Sequence, residues 1–221
     1  MSTTRTLHPT SRAFVALSLA TIALVTGMAL SRPVAELRAQ APRQDAWLLG
    51  LRAKHRQLFD SPKSDGGIPL VHVLNYYDTY NKAFQTADKD VDAVLTFYGG
   101  TTFFALNDAM WAKYKLGAFL GEKDASGAAA TANPWRSSPV ILGNALPQAS
   151  VETLQKRGAT FIVCNNALGI FAGMVAKQHG LSAEAVHADM KANILPGVTL
   201  VPAMVIAIEQ AQNVGLTYHR L

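Results

Sequence analysis

Cys164 is the only cysteine in the 221-residue chain. An intramolecular disulfide and a cysteine-cluster metal or iron–sulfur site are therefore excluded. Its neighbours give it chemical interest. Residues 159–164 (ATFIVC) read as a buried strand, and Asn165 or Asn166 reads as the cap of the next helix. A thiol on that junction has two readings. The N–H groups and dipole of a helix start favour an anion, so a thiolate there can attack sulfur or hold a persulfide. Equally, free cysteine is among the most buried residue types and can simply finish a strand.

Three other groupings have residue types that could do chemistry. Gly99-Gly100-Thr101-Thr102 is a glycine turn between a strand and a helix. It can cradle an anion on backbone N–H groups, or be a tight turn with a capped helix. Neither G-x-G-x-x-G nor a P-loop is present. Asn75, Tyr76, Tyr77, Asp78 and Tyr80 crowd the end of an apolar run, where Asn75 can line a pocket and Asp78 can cap a helix. The histidines, including His72, His187 and His219, lack metal-site spacing such as H-E-x-x-H, so no metal is expected. There is no G-x-S-x-G elbow and no plain carboxylate pair, so nothing supports a hydrolase.

The elements that must position these groups follow from the apolar pattern. Hydrophobic residues make up 49% and charged residues 16%, enough for a packed core. Residues 1–12 are polar and basic, and residues 13–30 form an uncharged apolar run. This is the pattern of an export signal, cleaved near Ala39-Gln40-Ala41, or of an N-terminal membrane anchor. Of the formal charge of +5, residues 1–41 contribute 4 − 1 = +3, which leaves +2 for the rest. No basic run interleaves with aromatics, so nucleic-acid binding is not expected.

Residues 42–67 read as a linker and a helix, with Trp47, Leu48, Leu51, His55 and Leu58 on one helical face. Residues 68–76 read as a central strand, and 91–98 as a second. Residues 117–147 are an irregular insertion in which Trp135 and Arg136 stand out. Strands are expected at 159–164, 198–201 and 216–219, with helices between them, Ser182 capping one. The alternation predicts a single α/β domain over 68–221, a mainly parallel sheet with helices on both faces. Functional groups then gather at the carboxyl ends of the strands, where Cys164 lies.

Residues 157–164 (RGATFIVC), Leu195-Pro196-Gly197-Val198, Val201-Pro202 and Glu209-Gln210-Ala211-Gln212 resemble the DsrE/DsrF-like family, which includes TusD-type sulfur-relay subunits. Tyr98-Gly99-Gly100 is similar to that family's second strand and its glycine. The resemblance implies a compact α/β fold, homo- or hetero-oligomers, and a strand-end cysteine that carries sulfane sulfur as a persulfide. Cys164 falls on that position. The asparagines and glycine of residues 165–169 stand where relay subunits carry an apolar stretch and a basic one.

Two functions follow. In the first, Cys164 accepts sulfane sulfur from a small donor or a partner protein outside the cytoplasm, in the periplasm or tethered to the inner membrane, without a cofactor. Asn165 and Asn166 supply the helix start, while Gly99, Gly100, Thr101 and Asn75 contact substrate. In the second, the chain is a non-catalytic binding or assembly module, with Trp135 as an interface anchor.

Overall fold

The computed structural model describes residues 46–221, so the leader expected at 1–41 lies outside the described residues. Five strands form one all-parallel sheet: β1 (His55–Asp60), β2 (Val91–Phe97), β5 (Thr160–Cys164), β6 (Val198–Val201) and β7 (Thr217–Arg220). Their order is β6-β5-β2-β1-β7. The chain builds outward from β1 through β2 and β5 to β6, then returns to the far side of β1. Parallel neighbours need crossover connections, and helices supply them. These are α1 (Ile68–Phe84), α2 (Asp108–Lys113), α3 (Leu116–Leu120), α4 (Val151–Lys156), α5 (Asn165–His179), α6 (Ala183–Ala192) and α7 (Met204–Asn213). A separate hairpin joins β3 (Val140–Ile141) to β4 (Asn144–Ala145). No helix among the described residues is long and apolar enough to cross a membrane.

The strand assignment fails in the first third of the domain. Residues 68–76 are not a strand but the first half of α1, and the first strand lies earlier, at β1, where a helix was expected. Gly67 is left-handed (φ 90°) and Pro69 sits in the first helical turn, where a missing N–H leaves no bond unmade. Within α1 the buried residues are Pro69, Leu70, Val73 and Tyr77. Their spacing is helical, but an unbroken apolar run conceals it over so short a window. Only Leu58, Phe59 and Asp60 of β1 are buried, so its polar first half hid a central strand.

The sheet separates two apolar clusters. Alternation along β5 sends Phe161 and Val163 to one and Ile162 and Cys164 to the other. The larger cluster takes in Leu70, Val73 and Tyr77 of α1 and Leu168, Ala172 and Val175 of α5, with Phe97 stacked on Phe161. The smaller is closed by Met204, Ala207 and Ala211 of α7 and by Leu51 beside a 3-10 turn, Ala46–Gly50. Each fully buried Leu- or Phe-sized side chain contributes roughly 1.5–3 kcal/mol.

The insertion is tied down rather than loose. Trp135 stacks on Phe104 at 4.1 Å and is 3% exposed, so it faces the core and offers no surface anchor. Asn133 Nδ2 donates to the carbonyls of Phe104 and Leu106, both at 2.7 Å. Arg136 bridges Asp108 and Glu152. A Cβ on Gly117 would lie 2.2 Å from the Ala130 carbonyl oxygen, so glycine is required there.

Candidate active site at the carboxyl end of β5

Cys164 ends a strand held on both sides, in register with Val201 of β6 and one residue past the Phe97–Val163 pair of β2. α5 begins at the very next residue, so Cys164 itself is the N-cap (φ −78°, ψ 117°). The expectation that Asn165 or Asn166 caps this helix is corrected: both stand in its first turn. With no loop between strand and helix, the last β residue takes the capping position.

The thiol replaces the usual hydroxyl cap. Its Sγ accepts the Ala167 N–H at 3.4 Å, the bond a serine cap makes to the third helical residue. It also accepts the Met204 N–H at 3.3 Å, from the first residue of α7. The starts of two helices therefore meet on one sulfur atom. The Asn166 N–H donates to the Pro202 carbonyl at 3.3 Å and joins the two helix starts. Donors and dipoles of this kind stabilise negative charge on the acceptor. Cys164 is buried, at 5% exposed.

Asn165 is half-buried, and its Oδ1 pairs with His187 Nε2 at 3.1 Å. A Cβ on Gly169 would lie 3.7 Å from the His187 ring, an ordinary contact, so α6 packs beside this turn of α5. Asn165 lines two shallow grooves, one with Asn166, Gly169 and His187, the other with Lys191 and Pro202. His187, Lys191 and Met204 were not among the expected site residues. No local pattern of residues marked them, because they lie on α6 and α7, elements separate from β5.

The glycine turn closes on itself. Gly99 has φ 58°, and a Cβ there would lie 3.0 Å from the Pro62 carbonyl oxygen. The Gly100 N–H donates to that same carbonyl at 2.8 Å, and the Thr101 N–H to Tyr98 at 3.2 Å. Thr101 is fully buried; its Oγ1 lies 2.6 Å from the Ser61 carbonyl oxygen and accepts the Tyr98 N–H at 3.1 Å. The Gly100 and Thr101 amides thus already have partners within the protein. Asn75 is not at a strand end: it is exposed on α1, where its Oδ1 accepts from Thr79. α1 covers the sheet face opposite Cys164, so the fold does not bring Asn75 to the thiol.

A polar network that the sequence reading missed shares the face of Cys164. Asp60 is 1% exposed and accepts from Tyr218 Oη at 2.6 Å, with Thr96 Oγ1 at 3.4 Å. Thr96 in turn accepts the Ser61 N–H at 2.8 Å. Burial, then hydrogen bonding to Asp60, raises the Tyr98 hydroxyl well above its ordinary range. The Asp60 bond is the main cause of a rise at Tyr218. The network joins the ends of β1, β2 and β7.

A cavity of about 260 Å³ is formed largely by the insertion itself, with Glu122, Asn133 and Trp135 in its lining together with Gly66. No group of three His, Cys, Asp or Glu side chains among the described residues could hold a metal ion. Fold and site together define a parallel α/β domain with a capped thiol at its carboxyl edge. No protein-family model matches this chain, and no curated protein sequence matches it.

Proposed function

We propose that this chain is an exported DsrE-like protein that carries sulfane sulfur as a persulfide on Cys164. The observation that carries the reading is the pair of N–H donors, from Ala167 and Met204, aimed at one sulfur atom. With thiosulfate as donor, the thiolate attacks the outer sulfur. A Cys164 S–S bond forms, the donor's S–S bond breaks, and sulfite leaves with the electron pair. Polysulfide serves equally, a shorter polysulfide leaving. The low exposure of Cys164 favours a small donor over direct attack on a second protein's thiol. Asn165 and Asn166 supply the helix start beside the sulfur. The basic stretch at 1–12 and the apolar run at 13–30 support a place outside the cytoplasm, free or tethered to the inner membrane.

The test is intact-mass spectrometry of the folded full chain after incubation with thiosulfate or polysulfide. A gain of about 32 Da, one sulfur atom, is expected on Cys164 and not on Cys164→Ser. A folded chain that gains no such mass ends the proposal. The competing reading, an assembly module without chemistry, also draws on the burial of the thiol. It gains if thiol reagents label Cys164 only after denaturation.

A further inference from the structure

Two histidines stand apart from the others in the described residues. His179 Nε2 lies 3.2 Å from the Tyr114 carbonyl oxygen, His187 pairs with Asn165, and His55 stacks on Tyr80 at 4.1 Å. His72 and His219 instead lie side by side, with ring centroids 5.5 Å apart and planes tilted by 35°. Neither ring makes a hydrogen bond to another described side chain or carbonyl. His72 is exposed on α1, and His219 lies on β7 in register with Phe59, whose ring packs against it.

We propose that His72 and His219 form a two-imidazole chelate for a divalent transition-metal ion such as zinc, on the sheet face opposite Cys164. Zinc binds imidazole nitrogen at about 2.0–2.1 Å, and the ring centre lies about 1.1 Å further along the same line. Two such rings at a tetrahedral angle have centres about 5 Å apart, close to the observed spacing. Imidazole is a preferred ligand for zinc, copper and nickel, and water completes the shell. Both ligands stand on regular elements, and Phe59 supports one of them, so little ordering is needed on binding. Sequence spacing could not reveal this pair, because its members come from the first helix and the last strand.

The test is calorimetric titration of zinc into the full chain carrying Cys164→Ser, so that the thiol takes no part and sulfur uptake has no bearing on the outcome. At about pH 7.5 one zinc ion per chain is expected, with affinity falling at least about tenfold in His72→Gln and in His219→Gln. His55→Gln should bind as the parent does. His72 is exposed, so His72→Gln should leave folding intact, as circular dichroism can check. Parent-like affinity in His72→Gln, or no saturable binding to the parent, overturns the proposal.

Discussion

Two strand-to-helix turns on neighbouring strands could have held an anion, and the structure treats them in opposite ways. After β2, Gly99 and Gly100 fold back on the Pro62 carbonyl, and the Gly100 and Thr101 amides are taken up by protein oxygens. After β5 there is no loop, so the Ala167 amide meets a side chain, and that side chain is sulfur. A second helix start then brings the Met204 amide to the same atom. A glycine turn is therefore a poor guide to an open anion site. What matters is where the amides of the turn find their partners.

The sharpest way to break this comparison is Cys164→Ser. Serine is a favoured N-cap of similar size, so the fold should survive while sulfur uptake falls to nothing. Mass spectrometry and thermal melting read the two effects separately. Next in size is Met204→Pro, which removes the second donor at a position where proline suits a helix start. Met204→Ala loses the same buried side chain but keeps the amide. The proline variant should take up sulfur about 10–100-fold more slowly than the alanine variant, the worth of one hydrogen bond to a charged group. Equal rates would mean that the Met204 amide contributes nothing.

Gly99→Ala probes the other turn. With φ at 58° and the Pro62 oxygen 3.0 Å from the new Cβ, it should lower stability by about 1–3 kcal/mol in urea unfolding. Sulfur uptake by the folded protein should not change, and a large drop would return the glycine turn to the active site.

The smallest effect concerns the turn that leads into β5. Arg157 bridges Asp78 and Asp88, and Lys82 also holds Asp78. Lys82 chiefly lowers the Asp78 carboxyl below its usual range, and Arg157 chiefly lowers that of Asp88. A depressed folded value gives stability that is complete above the unfolded pKa, about 3.9, and is lost as pH falls through the folded one. The urea midpoint should therefore drop on acidification below about pH 4, and less so in Arg157→Gln. Both carboxylates are partly exposed, so solvent screening keeps the effect modest.

Much of the second half of the fold was legible in residue order. β5, α5, α6, β6, α7 and β7 fall within a residue or two of their expected places, because each is marked locally. Ser182 caps α6 by accepting the Ala185 N–H, and Gly180 closes α5 with a left-handed φ of 66°. The first third was not legible. Its apolar run at 68–76 suits a strand and a helix equally, and β1 carries a polar first half because only its far end is buried. The site was legible in part. Cys164 could be placed on a strand–helix junction, but its role as the cap depends on the strand ending without a loop.

By itself, the sequence determined that there is one thiol, that a buried strand leads to it, and that a helix follows. Those are properties of neighbouring residues, set by apolar runs and capping types. Only the tertiary structure decided that a second helix start would reach the same sulfur, and that His72 would come to lie beside His219. α7 begins beside β5 and β6 because β7 must pair on the far side of β1, which sends the chain back across the sheet. Hydrogen bonds to sulfur and ring-to-ring spacings depend on ångström-scale packing between distant segments, and no local pattern of residues encodes them.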